Sequence, residues 1–187
     1  MSPEGRFRRD KMTETKVIQQ TSGRMSGLPA GYLALFNDLK QRIRAAQVKA
    51  AFAANQELLS LYWGIGRELD LRCKREAWGS AVMNSLARDL QNAFPGMEGL
   101  SPRNLRRMRS FYRAYPLSET SRIIRPQAVA KMGTAHWPPA VARLPWAHQV
   151  ILLEKCKDPA LRTWYAQAAL GHGWSRNVLA LQIESKL

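Results

Sequence analysis

Phe94-Pro95-Gly96-Met97-Glu98-Gly99-Leu100-Ser101-Pro102-Arg103-Asn104-Leu105-Arg106-Arg107-Met108-Arg109-Ser110-Phe111-Tyr112-Arg113 joins two helical segments. Pro95-Gly96 closes the first, because proline disfavours helical geometry in the residue before it. Ser101 suits the N-cap of the second, and Pro102 suits its first helical position, where a missing N–H costs nothing. Pro116 stops that helix. At 100° per residue, Leu105, Met108, Phe111, Tyr112 and Tyr115 share an arc of about 120°. Arg103, Arg106, Arg107 and Arg113 gather at the opposite pole, and Arg109 flanks the seam. One face is expected to pack inward and the other to present guanidinium groups.

Working outward, Ser80 to Phe94 carries Val82, Leu86, Leu90 and Phe94 on one side, the pattern of an amphipathic helix. A helix, a short Gly-containing link and a capped basic helix follow helix-turn-helix order, although the link is longer than a standard three- or four-residue turn. Upstream, Tyr32, Leu33, Phe36, Leu39 and Ile43 form one apolar stripe; Leu58, Leu61, Tyr62, Ile65 and Leu69 form another. With the Ala-rich stretch Ala45 to Ala54 between them, they predict one long helix or two meeting near Asn55. Gly64 and Gly66 lie in the second stripe, where a bare Cα lets a neighbouring backbone come close.

Downstream, five prolines punctuate 116–146, with short helical turns expected around Gln127–Lys131 and Ala140–Leu144. Helices are then expected over Trp146–Lys155, from Asp158-Pro159 to Gly171 or Gly173, and from Ser175 onward. No stretch alternates with period two for long enough to make a strand. The expected fold is mainly α: a multi-helical domain with a helix-turn-helix-like unit and a long N-terminal helix or helix pair. Residues 1–27 read as a flexible leader and 28–187 as the helical domain, with a subdivision near 116–145.

The chain has 187 residues, is 45% hydrophobic and carries a formal charge of +15. Six basic and three acidic residues lie in 1–27, fourteen and seven in 28–115, nine and four in 116–187. The excess is therefore spread over the body rather than confined to a tail, and it speaks of polyanionic partners. No apolar run approaches the ~20 residues of a membrane span, and the start lacks a signal peptide's apolar region. Cys73 and Cys156 build no disulfide framework, and His136, His148 and His172 lack metal-ligand spacing. A cytoplasmic protein with no membrane partner, metal or cofactor is expected.

Arginine can bind guanine bidentately and asparagine adenine, so Arg103 and Asn104, early in the helix, suit base readout. Arg106, Arg107, Arg109 and Arg113 suit phosphate contact. Ser175-Arg176-Asn177 repeats the head of Ser101-Pro102-Arg103-Asn104, through shared capping chemistry or a second DNA-facing unit. The candidate nucleic-acid-binding set is thus Ser101, Arg103, Asn104, Arg106, Arg107, Arg109, Arg113, Arg176 and Asn177. Against it stands a solvated face whose stems cover apolar neighbours, but five arginines without an acid between Ser101 and Arg113 argue for polyanion binding. The rival from another class is a protein-interaction module forming a homodimer through residues 32–69.

No catalytic motif survives inspection. Glu184-Ser185-Lys186 lies in a predicted helix, without the sheet a metal-dependent nuclease needs. Tyr62-Trp63-Gly64-Ile65-Gly66 sits inside a helical stripe and is no phosphate loop. Trp63, Trp146 and Trp164 occupy apolar helix positions and are expected in the core.

Leu61-Tyr62-Trp63-Gly64-Ile65-Gly66-Arg67, Trp78-Gly79, Leu86-Ala87-Arg88-Asp89-Leu90, Phe94-Pro95-Gly96-Met97, Leu100 to Arg109, Leu144-Pro145-Trp146-Ala147-His148, Trp164-Tyr165 and Gly173 to Leu179 together resemble the N-terminal helical domain of the bacterial YhcG family. The match covers roughly residues 28–187, with 119–140 divergent. The resemblance implies an α-helical, DNA-binding domain that precedes a PD-(D/E)XK nuclease domain in full-length relatives. The chain reaches Leu187 without the nuclease residues, so no catalytic residue is carried over and a non-catalytic targeting module is expected.

Overall fold

A computed structural model describes residues 29–116 and 137–186. They form seven helices and no strand: α1 Tyr32–Arg75, α2 Ser80–Ala93, α3 Pro102–Ala114, α4 Pro139–Arg143, α5 Trp146–Lys155, α6 Pro159–His172 and α7 Arg176–Glu184. The expected leader, 1–27, and the turn expected at Gln127–Lys131 lie outside the described residues. The chain divides into two units, residues 1–48 and 49–187.

α1 is one helix rather than two. Asn55 caps no new start; its Nδ2 donates to the Leu144 carbonyl at 3.3 Å, so its polar group is used in packing. In the described part of the first unit every side chain from Pro29 to Val48 is exposed.

In the second unit α3 joins two apolar clusters. Leu105 and Met108 pack with Tyr62 and Leu69 of α1 and Met83 and Ala87 of α2. Phe111, one turn further on, packs with Leu59, Trp63, Val141, Leu152 and Leu179. Leu105, Met108 and Phe111 are fully buried, each worth about 1.5–3 kcal/mol of transfer free energy. That triplet is the inward arc expected from the sequence.

The caps follow the sequence. Ser101 accepts a hydrogen bond from the Asn104 amide, Asp158 from those of Ala160 and Leu161, and Ser175 from that of Val178. Gly173 ends α6 in the left-handed region at φ 63°, where a Cβ is costly.

Three expectations change. Trp164 is 45% exposed instead of core, because α6 turns Tyr165, Ala166 and Ala169 inward, and its ring meets Tyr165 edge-on at the surface. Gly64 has open space where a Cβ would stand, so only Gly66 serves close approach: a Cβ there would collide with the Met108 carbonyl. The stripe from 32 to 69 is not one surface, since Leu59, Tyr62, Trp63 and Leu69 are core.

Candidate nucleic-acid interface

α3 has two faces because its sequence does. Opposite the buried triplet, Arg103, Arg106, Ser110 and Arg113 form an exposed line at spacings of three and four residues, with half-buried Arg107 and Arg109 on its flanks. Asn104 lies on the inner side.

Two carboxylates organise this ridge, and neither was singled out from the sequence. Asp70 of α1 is 1% exposed. Its Oδ1 accepts from Arg109 Nε at 3.0 Å and Arg113 Nε at 2.5 Å, and its Oδ2 meets Lys74 Nζ at 2.7 Å. Glu154 of α5 holds Arg107 through Nε at 2.9 Å and Nη2 at 2.6 Å, with Arg103 Nη2 more distant at 3.8 Å. Arg106 donates to Asn84 Oδ1 at 3.3 Å and has no carboxylate partner among the described residues. Lys74 and the five arginines against two acids leave a surplus of four positive charges. The ridge is braced without being neutralised.

Burial by itself would raise the Asp70 carboxyl, but hydrogen bonds from Lys74, Arg109 and Arg113 outweigh it and hold its pKa at about 2. A depressed folded-state pKa stabilises the fold above the unfolded value, and that stability is lost as pH falls through the folded one. Urea unfolding at a series of pH values should therefore show a loss of about 2 kcal/mol between pH 4 and pH 2. Asp70→Asn should be less stable at neutral pH and lack that acid-dependent step.

Asn104 is not a base reader in this arrangement. It is 7% exposed; its Nδ2 donates to the Gly99 carbonyl at 2.7 Å, and its Oδ1 accepts from Trp146 Nε1 at 2.9 Å. Gly99 sits at φ 90°, and a Cβ on it would run into the Tyr62 hydroxyl. Asn104 thus ties the link to α5, because an amide with both ends matched inside is costly to expose. Ser101 is spent on its cap. Arg103, Arg106 and Arg113 remain outward, and Arg107 and Arg109 half so.

The second Ser-Arg-Asn start shares the capping but not the burial. Arg176 and Asn177 are both exposed on α7, a helix that packs on α5 and α6. Elsewhere, His148 Nε2 is 2.9 Å from the Trp174 carbonyl, and burial pushes the Cys156 thiol above its ordinary pKa, which makes it unreactive. Among the described residues no group of His, Cys, Asp or Glu could hold a metal ion, and no helix is long and apolar enough to cross a membrane.

The family model described as the DUF1016 N-terminal domain matches residues 38–187. The chain belongs to this family. The match agrees with the resemblance to the YhcG family read from its motifs and spans the whole α3 ridge of this DUF1016 domain. No curated protein and no solved structure matches the chain.

Proposed function

We propose that this DUF1016 domain is a DNA-binding module that, in longer relatives, brings a PD-(D/E)XK nuclease domain to its substrate. The observation that supports this reading is the braced ridge of α3, where five cations share two carboxylates and a sixth, Arg106, leans on the Asn84 amide. A solubilising face usually mixes signs. Here the acids sit at the flanks, one of them buried, and the outward line Arg103–Arg106–Ser110–Arg113 carries none. Holding guanidinium groups in place before binding lowers the ordering cost of contact.

Within this reading Arg106 and Arg113 hold phosphates, Arg107 and Arg109 contribute from the flanks, and Arg103, near the start of α3, reaches base edges. Arg176 and Asn177 offer a second exposed contact on α7. The module needs no cofactor and performs no chemistry itself.

Fluorescence anisotropy with a labelled duplex tests the proposal directly. Log K should fall linearly with log salt at a slope of about −3 to −4, as expected for about four phosphates neutralised. Binding that ignores salt, or no binding at low salt, overturns it. Running single-stranded and branched probes alongside identifies the preferred form of the nucleic acid.

A further inference from the structure

We propose that the first turns of α1 form a parallel, in-register two-stranded coiled coil with a second copy of this chain. Within twelve residues Tyr32, Leu33, Leu35, Phe36, Leu39 and Ile43 are all between 45% and 58% exposed. Six large apolar side chains so close together exceed the scattered exposure expected on a monomer.

Their spacing names the occupant. Tyr32, Phe36, Leu39, Ile43, Ala46 and Ala50 follow one another at intervals of four, three, four, three and four, the seam of a heptad repeat with Phe36, Ile43 and Ala50 at a and Tyr32, Leu39 and Ala46 at d. A β-branched residue at a with leucine at d favours two parallel strands. Ile43 and Leu39 supply that pair.

Charge selects the orientation. In a parallel in-register pair each g position faces the e position five residues later on the other helix, so Leu35 meets Lys40 and Arg42 meets Gln47. No like charges are opposed. Arg42 is already engaged by Asp38 at 2.9 Å on its own helix. An antiparallel pair centred on the same seam would set Lys40 against Lys40 and Arg42 against Arg42, which is repulsive.

The area fits a modest dimer. A half-exposed large apolar side chain offers about 100 Å². Six of them give about 600 Å² per chain and about 1,200 Å² per pair, the lower edge of specific interfaces. A dimer that dissociates on dilution through the micromolar range is expected.

Sedimentation equilibrium on the full chain should show the mass rising with concentration from 21.2 kDa towards twice that value. Leu39→Lys with Ile43→Lys should hold it at the monomer mass, with helix content and melting temperature of the body unchanged. Mild oxidation of Ala46→Cys in a Cys73→Ser background should give a disulfide-linked dimer, because symmetric d positions face each other, while Gln41→Cys on the far side should not. A monomer throughout the range, a dimer that survives both lysines, or equal cross-linking at Gln41→Cys and Ala46→Cys would each overturn the proposal.

Discussion

Gly66→Ala is expected to destabilise the domain by about 3 kcal/mol, at the upper end of overpacking effects, and to lower its melting temperature by about 6–12 °C. An added Cβ would collide with the Met108 carbonyl oxygen and stand 2.5 Å from its carbon and 3.1 Å from the Arg109 nitrogen. Those are backbone atoms of another helix, so no rotamer change relieves the clash. α1 and α3 would have to separate where Leu69, Leu105 and Met108 pack and where Asp70 holds Arg109 and Arg113. Gly64→Ala, in the same helix but facing away from α3, is the matched control. Its Cβ enters open space, and replacing a helical glycine should stabilise by about 0.5–1 kcal/mol. Thermal melts of the two variants should therefore move in opposite directions. Equal shifts would show that α1 and α3 do not touch closely at Gly66.

The second large effect concerns binding. Arg103→Glu with Arg106→Glu should weaken duplex DNA binding about 100-fold at low salt, because two charge-assisted hydrogen bonds to the nucleic acid disappear, each worth about 1.5 kcal/mol. These two arginines are the right pair to reverse because the fold uses them least. Arg103 has a 75% exposed side chain and a long 3.8 Å approach to Glu154, and Arg106 meets the Asn84 amide oxygen, with no carboxylate partner among the described residues. The melting temperature should hardly change. Glu154→Gln should act in the opposite sense, releasing Arg107 and Arg103 from a competing carboxylate and raising affinity several-fold at low salt, with the gain fading as salt screens the field. A face that only solubilises the domain would give neither change, so the pair of variants separates the two roles of α3. Arg113→Glu would be a poorer probe, since it would set a second acid beside Asp70.

Much of α3 was legible because its information is local. Ser101 and Pro102 fix where the helix starts, and the period of Leu105, Met108 and Phe111 fixes which side is buried. The same holds for the caps at Asp158 and Ser175 and the stop at Gly173. Backbone N–H and C=O groups at helix ends must find partners within a few residues, and the sequence names those partners.

The acids were invisible for the opposite reason. Asp70 lies 39 residues before Arg109, and Glu154 lies 47 after Arg107. Nothing in the neighbourhood of Glu154 marks a carboxylate that will meet a distant guanidinium. Asp70 did carry a faint signal: an acid next to buried Leu69 within an apolar stripe is an unusual placement that calls for partners. Asn104 misled for a related reason. Its chemistry suits adenine, but its position beside Leu105 rather than on the arginine side turns it towards Gly99 and Trp146. Trp164 failed as a core prediction because α6 had more apolar residues than its inward face could take.

By itself, then, the sequence determined a mainly helical fold, most helix limits and the amphiphilic character of α3, since periodicity and capping act over a few residues. The tertiary structure alone decided which arginines a carboxylate holds closely and which it does not, that Asn104 is a tie rather than a probe, and which half of the long apolar stripe is core. Those outcomes depend on side chains dozens of residues apart meeting in space, where burial makes every unmatched charge or amide costly.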